Sequence, residues 1–407
     1  MTDRSLVIVG ASLAGAKAAE AARATGFDGR VVLVGSEHEP PYERPPLSKT
    51  VLRGEAAPET TRVHDDDFYV TNDIELLTGR TVEALDVDTG RVRIDGNEQV
   101  PFSALVLATG AAPRRLDVPG VDLAGVHYLR SVDDARLLGD AVRSGGRVAV
   151  IGAGWIGSEV AASARQMGAE VVLVDRAAVP LQRVLGPEVG EVFRSLHEDN
   201  GVQLRSETGV VELRGTSRVE QVVLSDGQTE AADVVVVGIG VTPRVGLAEA
   251  AGLKVDDGIV VDEHLRSSAP GVYAAGDVAS AWHPHYRQRL RVEHWANALN
   301  QGATAGTNAA GGTETYVRLP YFFSDQYDLG MEYVGYGHPS DTIVIRGDRA
   351  QREFIAFWQR NGVVTAAMNV NVWDIVDDLR AIVASGHVID ARRLADPTVP
   401  LAELVSR

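Results

Sequence analysis

Hydrophobic and polar residues follow the same order in two separate stretches of the chain, residues 5–37 and 147–176. Each begins with a short β-branched segment and passes through a glycine-rich turn into an alanine-rich segment. That segment ends at Gly26 or Gly168 and leads to a second apolar segment. Two parallel strands joined through a helix form a βαβ unit. The repeat therefore predicts an α/β fold with two Rossmann-like domains.

Further apolar segments extend this prediction to the whole chain. Residues 104–110, 234–241 and 271–277 are typical of buried strands that end in glycine turns. From about residue 320, apolar and polar residues alternate, which favours antiparallel strands. We expect a discontinuous first domain (1–112 and 242–319), a second domain (113–241) and a C-terminal α+β domain (320–407).

Composition narrows the possible functions. The chain has 407 residues, 45% of them apolar and 23% charged, which is typical of a folded globular protein. A net charge of −17 argues against nucleic-acid binding. The absence of cysteine excludes disulfides, thiolate metal sites, protein-ligated iron–sulfur clusters and a thiol nucleophile. The ten histidines show no zinc-type spacing, so we expect no metal, and we expect His283 and His285 on the surface.

Nothing in the sequence indicates a membrane or an export route. No segment approaches the roughly 20 apolar residues that span a bilayer. The N-terminus lacks a signal-peptide layout and enters a strand at once. We expect a soluble cytoplasmic protein.

The second glycine-rich turn carries a complete G-x-G-x-x-G pattern at Gly152, Gly154 and Gly157. In such a turn the glycines allow a tight bend, close approach of a pyrophosphate, and helix packing on the strand. Asp175 lies at the distance where an acid binds an adenosine ribose, which favours NADH over NADPH. Arg176 leaves the alternative open, because an arginine there could pair with a 2′-phosphate.

The first turn is imperfect, because Ser12 replaces the middle glycine between Gly10 and Gly15. Taken alone it could be a purely structural βαβ turn. Two later strand ends, 108–110 and 275–277, favour a second cofactor, because Thr109 and Asp277 there could serve a bound ring system and a ribityl or phosphate group. Two dinucleotide sites in one chain suggest cofactors that exchange electrons.

Motifs in a fixed order over nearly 400 residues carry a family resemblance. They are GASLAG, PPYERPPLSK, LATGAAPR, GAGWIGSEVA, VVGIGVTPR, YAAGDVA, VEHWANALNQG and FFSDQY. Together they resemble the FAD-dependent, NADH-using ferredoxin reductases that serve bacterial oxygenases. The resemblance implies FAD in the first domain, NADH in the second, and a C-terminal domain that helps build the surface facing the partner.

The resemblance also implies the cofactor-binding residues. Those for FAD are Gly10, Ser12, Leu13, Ala14, Gly15, Ser36, Glu37, Arg44, Lys49, Val82, Ala108, Thr109, Gly110, Arg130, Gly276, Asp277, Glu293, His294 and Trp295. The family usually has an acid directly after the glycine where this chain has Ser36, so either Ser36 or Glu37 contacts the ribose. Those for NADH are Gly152, Gly154, Ile156, Gly157, Glu159, Asp175, Arg183 and Gly240.

Residues 41–49, PYERPPLSK, form a proline-rich loop that ends at Lys49. Prolines stiffen a loop because each fixes φ. The resemblance implies that Lys49 meets Glu159 and places its ammonium beside the flavin N5, making these two the catalytic residues. The alternative is that Lys49 is a surface lysine and Glu159 an acid at a helix N-terminus. Trp295 could likewise be a core residue.

The lack of cysteine separates this chain from the disulfide reductases of similar architecture. Electrons that reach the flavin must leave directly, and the resemblance implies a 2Fe-2S ferredoxin that feeds a haem monooxygenase or a ring dioxygenase. Rubredoxin, a small-molecule acceptor, and a redox-sensing role remain alternatives. We expect Arg287, Arg289 and Arg291 to share one strand face, where a ferredoxin could dock, and we expect a monomer or weak dimer.

Overall fold

The computed structural model describes residues 4–65 and 67–405. It consists of two compact units. Unit 1 comprises the described residues of Met1–Glu43, Glu59–Ala112 and Thr242–Pro320. Unit 2 comprises those of Arg44–Pro58, Pro113–Val241 and Tyr321–Arg407. Two of the changes from one unit to the other fall within the short strands Ala111–Pro113 and Val241–Pro243.

Unit 1 is built on a five-stranded parallel sheet. Its spatial order is Val272–Ala274, Ala104–Leu107, Ser5–Val9, Arg30–Val34 and Ile74–Leu77. The first strand of the chain lies in the centre, so the chain departs in opposite directions on its two sides. Ligands of open parallel sheets bind at such a switch point, outside the carboxyl ends of the strands.

Two three-stranded sheets and four helices complete unit 1. The sheets contain Val82–Asp86, Arg91–Ile94 and Glu98–Pro101, and Ile259–Val261, Ala279–His283 and Gln288–Leu290. The helices are Leu13–Ala24, Phe68–Thr71, Gly246–Ala250 and Trp295–Ala309, with 3₁₀ turns at Pro58–Thr61 and Gly276–Val278.

Unit 2 contains a second five-stranded parallel sheet with the same switch-point layout. Its order is Gln203–Arg205, Glu170–Val174, Arg147–Ile151, Val234–Val237 and Val126–His127. The helices around it are Val132–Ser144, Trp155–Gln166 and Gln182–Asp199, and a small sheet holds Val210–Arg214, Gln221–Leu224 and Thr229–Ala231. The prediction of two Rossmann-like folds is confirmed.

The C-terminal part of unit 2 is a five-stranded antiparallel sheet. Its order is Tyr321–Gln326, Leu329–Gly335, Val363–Val370, Glu353–Arg360 and Thr342–Asp348. Helices Val376–Ser385 and Ala391–Ala395 and the 3₁₀ turn Leu401–Leu404 follow it. Phe322 and Trp358 of this sheet share a buried cluster with Leu185 and Phe193 of helix Gln182–Asp199. This sheet with its helices matches the α+β expectation.

The proline-rich loop has local helical structure. Pro45–Ser48 is a 3₁₀ turn with proline in its first positions, where a missing N–H costs nothing. Lys49 follows, and the short helix Thr50–Arg53 ends at Gly54 in the left-handed conformation.

His283 corrects a sequence expectation. It is 3% exposed, because neighbouring side chains of a strand point to opposite faces and His283 faces inward, while Trp282 beside it is exposed. Its Nε2 lies 3.0 Å from the carbonyl oxygen of Arg318. The polar composition of the stretch concealed an inward-facing position.

No helix within residues 4–65 and 67–405 is long and apolar enough to cross a membrane.

Two glycines let helix Trp295–Ala309 approach helix Leu13–Ala24 very closely. A Cβ at Gly302 would lie 2.3 Å from the carbonyl oxygen of Ala14, and one at Gly306 would lie 2.1 Å from that of Ala18. Gly302 and Gly306 are four residues apart, as are Ala14 and Ala18, so the two helices contact each other backbone to backbone along one face of each.

Gly306→Ala is therefore expected to lower the free energy of unfolding by about 2 kcal/mol, because the added methyl group overpacks this contact. Urea unfolding measures the change. The control is Gly246→Ala, in a helix where an added Cβ meets nothing within 4 Å and where alanine is the better helix former. Equal effects of the two substitutions would contradict the packing argument.

Candidate active site

Lys49 and Glu159 form a buried ion pair inside unit 2. Lys49 Nζ lies 2.7 Å from Glu159 Oε2, and the two side chains are 12% and 6% exposed. Lys49 also donates to the carbonyl oxygen of Pro45 at 3.2 Å. Its Nζ lies 6.0 Å from the centre of the Phe323 ring. The structure thus places the ammonium in a site largely shielded from water, where charge interactions are stronger than in bulk solvent.

Two serine hydroxyls complete the hydrogen bonding of Glu159. Ser48 Oγ donates to Oε2, the oxygen that also meets Lys49. Ser324 Oγ donates to Oε1 at 2.7 Å. Both serines are 1% exposed. Each carboxylate oxygen therefore has its own donors, as a buried carboxylate requires.

One face of helix Trp155–Gln166 organises this cluster. Trp155, Glu159 and Ser163 are spaced by four residues and so lie on one side of the helix. The Trp155 ring meets Phe322 with centroids 4.7 Å apart, and Ser163 Oγ donates to the backbone carbonyl of Ser48 at 2.6 Å. The helix thus holds the lysine loop at two points, one turn apart.

The complete glycine-rich turn has the geometry that its pattern predicts. A Cβ at Gly157 would lie 1.8 Å from the carbonyl oxygen of Gly152, so helix and strand meet there. At Gly154 a Cβ would meet nothing within 4 Å, and Gly154 begins the helix without a side-chain cap. The open space beside uncapped N–H groups fits a phosphate.

Asp175 is held by two backbone amides directly after strand Glu170–Val174. Its Oδ2 accepts from Ala153 N at 2.6 Å, and its Oδ1 accepts from Ala177 N at 2.7 Å. These bonds fix the carboxylate beside the glycine-rich turn, where the sequence placed a ribose ligand. Arg176 points elsewhere, with its guanidinium beside Gly209.

Three further predicted NADH contacts are exposed in unit 2. Ile156 is 45% exposed in the first turn of the helix, which is unusual for so large an apolar side chain. Gly240 is exposed after strand Val234–Val237 with φ 102°, a conformation that favours glycine. Arg183 is exposed in helix Gln182–Asp199.

The first glycine-rich turn is equally tight despite Ser12. A Cβ at Gly15 would lie 1.9 Å from the carbonyl oxygen of Gly10. Ser12 begins helix Leu13–Ala24 without a side-chain capping hydrogen bond. The turn therefore fits a phosphate as the second turn does.

Neighbouring strand ends bring the remaining glycine motifs to the same edge of the unit 1 sheet. Ala108, Thr109 and Gly110 follow strand Ala104–Leu107, which pairs with Ser5–Val9. Gly276 and Asp277 follow strand Val272–Ala274, which pairs with the other edge of Ala104–Leu107. The Gly276 N–H donates to the buried Gln301 Oε1 at 3.0 Å, which fixes this turn.

The Glu293–Trp295 motif lies at the start of helix Trp295–Ala309. Glu293 pairs with Arg291, and His294 is the residue that begins the helix. Burial lowers the pKa of His294 to about 4, while the Asp277 carboxylate opposes the shift. His294 is therefore neutral near pH 7, and Trp295 is half-buried beside it.

The other predicted FAD contacts also have defined places. In unit 1, Ser36 is exposed, Glu37 accepts a hydrogen bond from the Tyr42 hydroxyl, and Val82 begins strand Val82–Asp86. In unit 2, the Arg44 guanidinium donates to the carbonyl oxygen of Arg130.

The three arginines do not share a strand face, so that prediction is wrong. Arg287 lies in a turn with φ 53°, outside strand Gln288–Leu290. Arg289 donates to the carbonyl oxygen of Val261 at 2.7 Å. Arg291, whose side chain is 10% exposed, pairs with Asp257 at 3.1 Å and with Glu293. The sequence spacing could not show that Asp257, from another segment, pairs with Arg291.

Sequence reasoning missed Ser48 and Ser324 as members of the site. Both stand in motifs that carried the family resemblance, PPYERPPLSK and FFSDQY, but neither received a role. The four-residue spacing of Trp155, Glu159 and Ser163 could have predicted such partners. It places Glu159 and Ser163 on one face of the helix, and both need hydrogen-bond partners when that face is buried. In the part of the chain that the structure describes, no group of three or more potential ligands could hold a metal ion.

Comparison with known proteins places this site in a family. Residues 4–302 match the pyridine nucleotide-disulphide oxidoreductase family, and residues 321–405 match a family described as "Reductase C-terminal". The chain belongs to the pyridine nucleotide-disulphide oxidoreductase family. Membership confirms the predicted oxidoreductase class and the predicted cofactors, FAD and NAD(H).

Members of the family are similar to this protein over nearly the full length of the chain. The anthranilate 1,2-dioxygenase system ferredoxin–NAD(+) reductase component of Burkholderia cepacia is 41% identical, covering 98% of this chain and 99% of its own. Putidaredoxin reductase of Pseudomonas putida is 36% identical, covering 99% and 97%. The crystal structure of the covalent putidaredoxin reductase–putidaredoxin complex superimposes with a TM-score of 0.96 at 35% identity, covering 100% and 99%. The resemblance to ferredoxin reductases is confirmed.

Glu159→Ala is expected to lower the free energy of unfolding by about 3 kcal/mol, because it leaves the Lys49 ammonium buried without its counter-charge. Urea unfolding of the purified protein measures this. The control is Glu212→Ala. Glu212 pairs with Arg214 on the surface, where the two side chains are 36% and 52% exposed. An exposed pair is worth at most about 1 kcal/mol. A Glu159 effect no larger than that of the control would contradict the buried-pair description.

Proposed function

We propose that the chain is an NADH-dependent ferredoxin reductase. It transfers a hydride from NADH to FAD and passes single electrons to a 2Fe-2S ferredoxin that feeds a haem monooxygenase or a ring dioxygenase. The observation that carries this proposal is the buried Lys49–Glu159 pair in a chain without cysteine. With no thiol to relay them, electrons must pass from the cofactor straight to the acceptor.

The domain roles follow the sequence prediction. Residues 1–112 and 242–319 bind FAD, residues 113–241 bind NADH, and residues 320–407 form the C-terminal domain. The uncapped helix starts at Ser12 and Gly154 hold the two pyrophosphates. When bound there, FAD would supply the chemistry that links a two-electron donor to a one-electron acceptor.

Lys49 would supply a fixed positive charge to a bound flavin. Its hydrogen bond to the carbonyl oxygen of Pro45 and its ion pair leave the ammonium little freedom. A charge that is already in place in a dry site stabilises a charged transition state without reorganisation. The three prolines of residues 41–49 serve this end, because they stiffen the loop that carries Lys49.

Glu159 is the counter-charge that holds Lys49 in place. A buried charge is tolerated only when it is paired and hydrogen-bonded. The carboxylate is itself fixed by two serines, so it orients the ammonium and does not simply neutralise it.

Asp175 selects NADH. The backbone amides of Ala153 and Ala177 hold its carboxylate in a fixed place, where it would accept from ribose hydroxyls and repel a 2′-phosphate. Arg176 is turned toward Gly209, which weakens the NADPH alternative.

The ferredoxin is expected to be acidic, and this chain has a net charge of −17, so the two proteins repel each other overall. Docking therefore needs a local positive surface on this chain. Arg287 and Arg289 remain candidates for this surface, whereas Arg291 is neutralised by Asp257 and Glu293. We also propose that the protein works in the cytoplasm, where NADH is available.

Stopped-flow mixing tests the proposed function. We expect the purified protein to carry FAD, to be reduced faster by NADH than by NADPH, and then to reduce a 2Fe-2S ferredoxin within normal turnover times. Dioxygen as the acceptor is the control and should react slowly.

Other results would favour the alternatives. Fast turnover with rubredoxin or a small acceptor alone would contradict the ferredoxin assignment. Very slow flavin reduction with a long-lived NAD complex would favour redox sensing. Faster reduction by NADPH would contradict the role of Asp175.

A further inference from the structure

The C-terminal sheet supplies a hydroxyl to the Lys49–Glu159 pair. Strand Tyr321–Gln326 alternates, with Phe322, Ser324 and Gln326 buried. Phe322 packs on Trp155, and Ser324 reaches Glu159 one helical turn further on. The strand and the helix therefore meet in register, with the polar Ser324–Glu159 contact next to the apolar Phe322–Trp155 contact.

The direction of the Ser324 hydrogen bond follows from its partners. An ionised carboxylate only accepts, so the Ser324 hydroxyl must donate to Glu159 Oε1. Gln326 Nε2 donates to Ser324 Oγ at 3.4 Å and so occupies one of its acceptor positions. The hydroxyl is thus aimed at the carboxylate by its neighbour on the same strand face.

The nearby histidine His197, which interacts with Gln326, does not supply a second positive charge to Glu159. His197, which is 0% exposed, lies in the same buried region, and burial lowers its pKa to about 4, against a smaller opposing effect of Gln326. At neutral pH the imidazole is uncharged. The only charged donor to the carboxylate, among described residues, is Lys49.

We propose that Ser324 is a positioning residue: by holding Glu159 Oε1, it keeps Oε2 turned toward Lys49. Ser324 acts through Glu159 and not on the cofactor itself. Without it, the carboxylate can rotate about its terminal bond, and the ammonium loses its fixed place. The inference rests on the proposed role of the Lys49–Glu159 pair.

The test is a double-mutant cycle on the flavin-loaded protein. Ser324→Ala should slow flavin reduction by NADH about tenfold, the value of one hydrogen bond to a charged group. It should also lower the flavin midpoint potential, because a less fixed ammonium stabilises reduced flavin less. In a Glu159→Ala background, the same substitution should change the rate less than about twofold, since the interaction is already gone.

Two variants separate the hydrogen bond from packing. Ser324→Cys keeps the side-chain size but donates weakly, so its rate and potential should change in the same direction as those of Ser324→Ala. Ser385→Ala removes a half-buried serine hydroxyl elsewhere in the C-terminal part, one that donates to the carbonyl oxygen of Ile382 at 2.7 Å. It should change neither quantity.

The outcomes distinguish this inference from the proposed function. Equal effects of Ser324→Ala in both backgrounds, or no effect in either, would overturn the positioning role. If Glu159→Ala alone left the rate and the potential unchanged, the proposed role of the ion pair would fail first.

Discussion

A buried ion pair is costly unless every charge has a partner, and this constraint determines how unit 2 is built around Lys49 and Glu159. The carboxylate receives the ammonium and two hydroxyls, and the ammonium also bonds to the carbonyl oxygen of Pro45. The partners come from the proline-rich loop, the helix after the glycine-rich turn and the C-terminal sheet. Segments distant in sequence thus depend on one another for a single charged contact.

Helix Trp155–Gln166 has two functions in this arrangement. Its N-terminus, at Gly154, leaves N–H groups open for a phosphate, and its side face carries Glu159 and Ser163. The turn that fits a phosphate and the placement of Lys49 therefore depend on one rigid element. A functional group on a helix is held more firmly than one on a free loop, which matters for a charge that must be in place before the reaction.

Local sequence predicted the parts of the structure that local chemistry determines. The two βαβ units, the tight turns at Gly15 and Gly157 and the antiparallel C-terminal sheet follow from periodicity and from glycine spacing. What the sequence could not show are contacts between distant segments. Ser324 looks like any polar strand residue until it meets Glu159, and Arg291 looks like a free cation until Asp257 reaches it. The inward turn of His283 likewise depends on which face of its strand the core covers.

We propose that Lys49 acts as a fixed positive charge for flavin reduction. The most direct measurement is the stopped-flow rate of flavin reduction by NADH in Lys49→Met, compared with Lys17→Met, which removes a lysine paired with Glu20 in helix Leu13–Ala24. We expect Lys49→Met to keep its FAD and to be reduced about 100-fold more slowly, the usual cost of losing a preorganised charge donor, while Lys17→Met is unaffected. A Lys49→Met protein that carries FAD and is reduced at the unsubstituted rate would contradict this role of Lys49.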